Sequence, residues 1–169
     1  MIGKQNMRLK AVAARSAKER VDLSEVLAEL LDGATGVAGF VGFGAEPCVP
    51  PRPGWLLPVL LEDDDLDWAR YDGELVPGRR GLLEPPGPRL GVGGVATCDV
   101  VLVPALRVDR DGNRLGRGGG SYDRALARAT GLTVALLHDD EVVDAVPHEA
   151  HDVPVRAVAT LTGGLVVLR

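Results

Sequence analysis

Short apolar runs alternate with helical patterns along this chain, and glycine or proline separates most of them. Nearly unbroken apolar residues predict buried strands at residues 35–43, 55–61, 99–104, 132–137, 155–160 and 165–168. Residues 66–73 and 75–81 suit a hairpin or an excursion over the candidate site. The order of the elements predicts an α/β fold, a three-layer sandwich with a central mixed, largely parallel sheet and helices on both faces.

Three helices are predicted from periodicity and from helix-start signals. A basic helix is predicted at residues 4–20, which contain six Lys or Arg residues and a single acidic residue. Asp22 and Glu25 then have the spacing of a capping box, apolar residues recur behind them at helical spacing, and Gly33 ends the run. Residues 122–129 predict a third helix.

One face of the basic helix groups its charges. At 100° per residue, Lys4, Arg8 and Arg15 fall within about 40° of one another. A solvated surface face is the simple interpretation of this pattern, and a binding face is the alternative. A membrane-surface helix is disfavoured, because the opposite face is mostly alanine and valine without large anchoring residues.

The stretch before the third helix is packed with arginine and glycine. It reads LRVDRDGNRLGRGGGSYDRALAR and contains Arg114, Arg117 and the consecutive glycines Gly118 to Gly120. Such glycines let backbone N–H groups approach a ligand, and the start of a helix adds further N–H groups and a partial positive charge. Arginines fork onto phosphate oxygens, and Asp123 supplies an oxygen ligand suited to Mg²⁺. The loop therefore predicts a polyphosphate site.

The two common phosphate-binding motifs do not match this loop. A P-loop needs a lysine after its glycines, and none follows here. A dinucleotide loop needs G-x-G-x-x-G, whereas Ser121 stands at the last glycine position after Gly116 and Gly118. From the residues alone, a nucleotide site and a flexible surface loop both remain open.

Charge is distributed unevenly along the chain. The 169 residues carry a formal net charge of −5, yet residues 107–128 contain six arginines and three aspartates, so that they sum to +3 and the remainder to −8. Net negative charge and only 4% aromatic residues argue against a nucleic-acid partner. Five acids within residues 62–67 predict a solvated turn. Length and composition predict a single domain over residues 1–169.

The remaining chemistry-bearing residues favour simple interpretations. Cys48 and Cys98 lack C-x-x-C spacing, so two buried thiols are expected rather than a disulfide or a zinc site. His148 and His151 are interpreted as exposed loop residues, with a metal site as the less favoured alternative. No apolar run reaches the length of a membrane span. We expect a cytoplasmic protein without a membrane partner, a monomer or a weak dimer.

The segment NRLGRGGGSYDRALAR closely resembles the NRLGRGGGYYDR motif of the 5-formyltetrahydrofolate cyclo-ligases, also called methenyltetrahydrofolate synthetases. The residues from Lys4 to Arg8 resemble that family's K-x-x-L-R, residues 81–85 its G-I-x-E-P, and His151-Asp152 its H-D. The resemblance implies an α/β enzyme of folate one-carbon metabolism. It would use ATP and Mg²⁺ to convert 5-formyltetrahydrofolate to 5,10-methenyltetrahydrofolate.

The resemblance also implies a set of site residues. Arg117 and Asp123 would be catalytic, and Asp123 and Asp152 would hold Mg²⁺. ATP would contact residues of the basic helix and of the loop: Lys4, Arg8, Arg114, Leu115, Gly116, Arg117, Gly118, Gly119, Gly120, Ser121 and Tyr122. The reduced folate would contact two residues near the end of the first predicted strand and part of the loop: Val41, Glu46, Arg117, Gly118, Gly119, Gly120 and Ser121.

Two features depart from the family's pattern. Ser121 replaces a tyrosine, and the proline-rich residues 48–54 are too few for the helix that the family places between two strands. Two other functions therefore stay open. One is a shortened, non-catalytic member that binds nucleotide or RNA; the other is an ATP-dependent enzyme for another small anionic substrate. Arg117, Asp123 and Asp152 are all present, which favours an enzyme.

Overall fold

A seven-stranded sheet lies at the centre of the computed structural model, which describes residues 3–168. In chain order the elements are α1 (Lys4–Arg15), α2 (Ala28–Gly33), β1 (Val37–Ala38), β2 (Leu56–Leu60), β3 (Leu66–Arg70), β4 (Val76–Pro77), β5 (Leu83–Glu84), β6 (Val100–Pro104), β7 (Arg107–Asp109), β8 (Arg114–Leu115), α3 (Ser121–Arg128), β9 (Leu132–Leu136), β10 (Val142–Val143), β11 (Ala157–Thr160) and β12 (Gly164–Val167). Short 3-10 turns occupy Arg79–Gly81, Val92–Thr97 and Asp139–Glu141.

The central sheet has the strand order β12-β11-β9-β6-β1-β2-β3. Its five inner strands are parallel, and the edge strands β3 and β12 run antiparallel to their neighbours. Two small sheets accompany it, with the orders β10-β7-β8 and β4-β5. The predicted α/β fold with a mixed, largely parallel sheet is therefore confirmed.

Alternating residues of the inner strands divide the apolar core between the two faces of the sheet. Val101 and Val103 of β6 belong to the cluster that contains residues of α3. Val100 and Leu102 belong to the opposite cluster, which contains Leu31 of α2. This period-two division explains why the strand is apolar throughout, and it places helices on both faces.

Helix α1 packs away from the central sheet. Its buried Ala11 contacts a third cluster, which contains Leu106 and Leu115 at the small sheet and Val146 beyond it. The helix ends at Arg15 rather than at residue 20 as predicted. Within the described residues, 3–168, no helix is long and apolar enough to cross a membrane.

The second helix is shorter than its sequence pattern predicts. Asp22 pairs with Cys48 in an isolated parallel bridge, and its carboxylate accepts the N–H of Ser24 at 2.8 Å. Because Asp22 is part of this extended contact with the proline-rich segment, the predicted capping box with Glu25 does not start the helix, which begins at Ala28. The proline-rich segment itself contains no helix, as predicted.

Two strand predictions need correction. The strand predicted at residues 35–43 is only Val37–Ala38, and the chain leaves the sheet after the Gly39 N–H has donated to the carbonyl of Leu56 at 2.9 Å. The first half of the predicted 66–81 hairpin is β3, which pairs with β2 instead. The second half pairs with Leu83–Glu84.

The acidic stretch at residues 62–67 is only partly the solvated turn that was predicted. Asp65 is buried, and its two oxygens accept the two Nη groups of Arg128 at 2.7 Å each. These hydrogen bonds lower the pKa of Asp65. Arg124 donates to the backbone carbonyl of Asp63 in the same turn. Two arginines of the basic stretch therefore attach α3 to the β2–β3 turn.

Candidate active site

A cavity of about 760 Å³ lies at the carboxyl ends of the parallel strands β1 and β6. Its lining includes Val41 and Glu46 after β1, Ala105 after β6, and the loop that precedes α3. Ligands of open α/β sheets bind in such a crevice, where the loops that leave the strands converge. The fold therefore brings residues that are distant in sequence to one cavity.

The arginine–glycine loop forms one wall of this cavity. Gly118 and Gly120 have φ values of 110° and 74°, left-handed conformations that glycine adopts without strain. Gly119 does not need this freedom, and a Cβ atom there would contact only the Ser121 hydroxyl at 3.5 Å. Helix α3 begins directly at Ser121, so its free N–H groups lie at the cavity. The loop has the form of an anion-binding site.

Basic side chains of helix α1 contact the loop and the cavity. Arg8 Nε donates to the carbonyl oxygen of Gly116 at 2.9 Å. Lys4 Nζ donates to Asp152 Oδ2 at 2.7 Å, and both side chains line the cavity. The charged face predicted for this helix is thus a face of the cavity, not a solvated surface.

Arg114 lies beneath the loop and is buried. Its Nη1 donates to the carbonyl of Pro104 at 3.2 Å, and its Nη2 is 3.7 Å from Asp123 Oδ1. The guanidinium also lies 5.9 Å from the Tyr122 ring centre. Burial lowers the pKa of Arg114, an effect that Asp123 opposes. Arg114 therefore helps to orient the first turn of α3.

Arg117 is an exposed residue of the loop that also lines the cavity. Its guanidinium lies 4.8 Å from the ring centre of Phe43, at a cation–π distance. Its charge also lowers the pKa of Glu46, although burial of that carboxyl group dominates and the net pKa is raised. Glu46 is 5% exposed. The positive charge of Arg117 in the loop therefore acts on a buried carboxylate of the same cavity.

The two predicted metal ligands are compatible with Mg²⁺. Asp123 and Asp152 both line the cavity beside the loop. Burial raises the pKa of Asp152, but hydrogen bonds from Lys4 and from the N–H of Glu149 outweigh it and lower the pKa overall. No group of three or more acidic, histidine or cysteine ligands occurs within residues 3–168. One or two carboxylates suffice for Mg²⁺ when phosphate oxygens complete its coordination.

The cavity is lined by all of the predicted site residues except one. Leu115 differs, because its side chain is fully buried in the cluster with Ala11 and Leu106 and does not line the cavity. Two features of the cavity were not predicted as parts of a site. One is the buried Arg15, and the other is an apolar wall formed by Phe40, Pro58, Leu60, Leu66, Leu82 and Leu83.

Sequence and structure comparisons agree on the relatives of this chain. The family model described as the 5-formyltetrahydrofolate cyclo-ligase family matches residues 54–161. The matched segment contains the loop and Asp152, whereas Lys4, Arg8 and Glu46 precede it.

Relatives in two bacteria carry the same name. The 5-formyltetrahydrofolate cyclo-ligase of Mycolicibacterium smegmatis is 48% identical over 122 residues, which are 68% of this chain and 63% of the relative. That of Escherichia coli is 37% identical over 111 residues, 62% of this chain and 61% of the relative. The aligned segments therefore span less than two thirds of these relatives.

Solved structures match over a longer range. The NMR structure of Aquifex aeolicus 5,10-methenyltetrahydrofolate synthetase has a TM-score of 0.79 and 27% identity, and covers 98% of this chain and 93% of that protein. A Mycoplasma pneumoniae 5,10-methenyltetrahydrofolate synthetase, at 15% identity and a TM-score of 0.69 over 93% of this chain and 98% of that one, shares the fold. With the motif, the fold and the cavity in place, these matches show that the chain belongs to the 5-formyltetrahydrofolate cyclo-ligase family.

Proposed function

We propose that this protein cyclises 5-formyltetrahydrofolate to 5,10-methenyltetrahydrofolate and converts ATP to ADP and phosphate. One observation carries the proposal: a single cavity contains the cationic glycine loop and a buried glutamate, Glu46. The loop suits a polyphosphate, and the carboxylate suits the N–H groups of a pterin ring. Family membership supports the same reaction.

The reaction has two steps, and neither requires a nucleophile from the protein. The formyl oxygen attacks the γ-phosphorus of ATP, the bond to the β-phosphate oxygen breaks, and ADP leaves. N10 of the folate then attacks the activated carbon and loses its proton, phosphate leaves, and the ring closes. Both steps depend on in-line positioning and on positive charge near the transferred group.

The residues of this chain are suited to those tasks. Arg117 would contact the transferred phosphoryl group, and the N–H groups of Gly118 to Gly120 would bind phosphate oxygens. Lys4 and Arg8 would add positive charge from α1, and Arg114 would hold Asp123 in place. The apolar wall would exclude water from the formyl group.

Magnesium is part of the proposal. Asp123 and Asp152 would hold the ion, which would neutralise phosphate charge when bound. Because Lys4 contacts Asp152, the ion and Lys4 would share that carboxylate. We also propose that the protein acts in the cytoplasm as a monomer or weak dimer, with small molecules as its partners.

A direct assay tests this function. Purified protein with ATP, Mg²⁺ and 5-formyltetrahydrofolate is expected to form the methenyl product, which ultraviolet absorbance detects. Removal of Mg²⁺ or ATP should abolish the signal. If protein that circular dichroism shows to be folded forms no product, the non-catalytic binding function would be favoured instead. ATP hydrolysis that ignores the folate would indicate another substrate.

Substitutions in the glycine loop should separate ligand contact from loop folding. Gly119→Ala is expected to weaken ATP binding several-fold, because its methyl group projects where phosphate oxygens approach, and the free loop accommodates it. Gly118→Ala should in addition lower the melting temperature, because alanine is strained at a φ of 110°. Calorimetric titration with ATP and thermal unfolding measure the two effects. Equal ATP affinity in Gly119→Ala and wild type would exclude phosphate contact at that position.

A further inference from the structure

Arg15 is a buried cation in the wall of the cavity. Its side chain is 4% exposed. Nε and Nη2 donate to the two carboxylate oxygens of Glu141 at 2.9 and 2.5 Å, and Nη2 also donates to the carbonyl of Ala105 at 2.7 Å. Across residues 3–168, however, no acceptor lies within hydrogen-bond distance of the buried Nη1. A charged donor that lacks a hydrogen-bond partner and belongs to a cavity-lining residue is suited to bind an acceptor on a ligand.

Hydrogen bonds connect Arg15 to the turn that carries Glu46. Glu141 Oε1, which accepts from Arg15, also accepts the backbone N–H of His138 at 2.8 Å. The His138 ring nitrogen Nε2 is 2.7 Å from the carbonyl oxygen of Ala45, the residue before Glu46. Both Arg15 and Glu46 line the cavity. One assembly therefore places a carboxylate and an arginine with an unpaired buried donor in the lining of the same cavity.

This pair matches the edge of a pterin. The ring presents an amino group, then a ring N–H, then a carbonyl oxygen along one side. A carboxylate accepts the two donors and leaves the adjacent carbonyl oxygen in need of a donor. We propose that Arg15 Nη1 donates to this carbonyl oxygen and makes Arg15 a specificity-determining residue for the folate. This inference rests on the proposed function, because it takes the ligand to be a folate bound at Glu46.

The wild-type protein provides the first test. Its affinities for 5-formyltetrahydrofolate and for the 4-amino-4-deoxy analogue are compared by calorimetric titration. The analogue replaces the carbonyl oxygen with an amino group, a donor that would face Nη1, and its adjacent ring nitrogen lacks the N–H that Glu46 would accept. We expect the analogue to bind at least about 10-fold more weakly, because a site built for one hydrogen-bonding group rejects its replacement.

Variants at Arg15 provide the second test. Arg15→Lys keeps the charge but loses Nη1. The double variant Arg15→Met with Glu141→Leu removes both partners of the buried pair, and so avoids an uncompensated buried charge. Both variants should reduce the preference for the carbonyl form to the part that Glu46 provides through the ring N–H, while keeping wild-type ATP affinity. Lys18→Gln is the matched control, because Lys18 Nζ lies 3.5 Å from Glu141 Oε2 but does not line the cavity. It should keep the preference.

The outcomes separate this inference from the proposed function. If the wild type binds neither folate, the proposed function fails and the inference with it. If the wild type binds the two folates equally, the role of Arg15 is overturned, but the proposed function is not. This comparison uses only the wild-type protein, so it does not depend on whether a variant folds. If the Arg15 variants bind both folates more weakly but keep the full wild-type ratio of affinities, Arg15 only supports the fold, and the inference is again overturned.

Discussion

Arg117→Ala is expected to lower kcat by at least about 10²-fold, the loss typical when a group that stabilises transition-state charge is removed. Negative charge shifts onto the departing ADP as the phosphoryl group transfers, and Arg117 is the exposed cation of the glycine loop. Its stacking on Phe43 holds the guanidinium at the cavity mouth. Steady-state kinetics of methenyl formation, with both substrates varied, measure the effect.

A matched arginine from the same stretch serves as the control. Arg124 is exposed on α3, hydrogen-bonds to the carbonyl of Asp63 and does not line the cavity. Arg124→Ala should therefore leave kcat near the wild-type value. A rise in KM at unchanged kcat for Arg117→Ala would mean that Arg117 binds substrate and transition state equally, and its catalytic role would then be wrong.

The sheet was predictable because its signal is local. Residues 100–104 are apolar without interruption, and residues 132–137 are interrupted only by Thr133, as is typical of strands buried on both faces; they form β6 and β9. The pattern does not show where a chain leaves the sheet. Residues 39–43 are as apolar as a strand, yet they leave the sheet, and Phe40, Val41 and Phe43 line the cavity.

The sequence gives the number of charged residues, but it does not show which groups each charged side chain contacts. The six arginines of residues 107–128 suggested one cationic site. In the structure, Arg114 and Arg117 line the cavity, whereas Arg124 and Arg128 contact the acidic turn after β2. Their partners lie about sixty positions away in sequence, where no local spacing rule applies. Contacts of that range depend on how α3 packs against β3.

Arg15 and Glu46 show the same limit within the site. Helical geometry predicted that Arg15 shares a face with Lys4 and Arg8. It could not predict that Arg15 pairs with Glu141, which is 126 positions away. An isolated glutamate in a Gly-Ala-Glu-Pro turn resembles a solvent-exposed loop residue. Its burial depends on surrounding segments, and it became visible only when those segments were packed together.

Glu46→Gln is expected to weaken folate binding by about 1.5–3 kcal/mol, the contribution of a charged hydrogen bond, while ATP affinity stays unchanged. That energy corresponds to roughly 10- to 150-fold in Kd. The substitution preserves size, but it replaces one acceptor oxygen with a donor that faces the N–H groups of the pterin. Glu46 is buried, so water does not replace the lost interaction. Calorimetric titration with 5-formyltetrahydrofolate and with ATP measures both affinities.

Acid titration adds a second signature of the same carboxylate. Burial raises the pKa of Glu46, and only its ionised form accepts both pterin donors. Wild-type folate affinity should therefore fall, as the pH is lowered, at a higher pH than for an ordinary glutamate, and Glu46→Gln should lack this step. Glu149→Gln is the matched control, because that exposed glutamate also lines the cavity. Equal folate affinity in wild type and Glu46→Gln would mean that other residues bind the pterin.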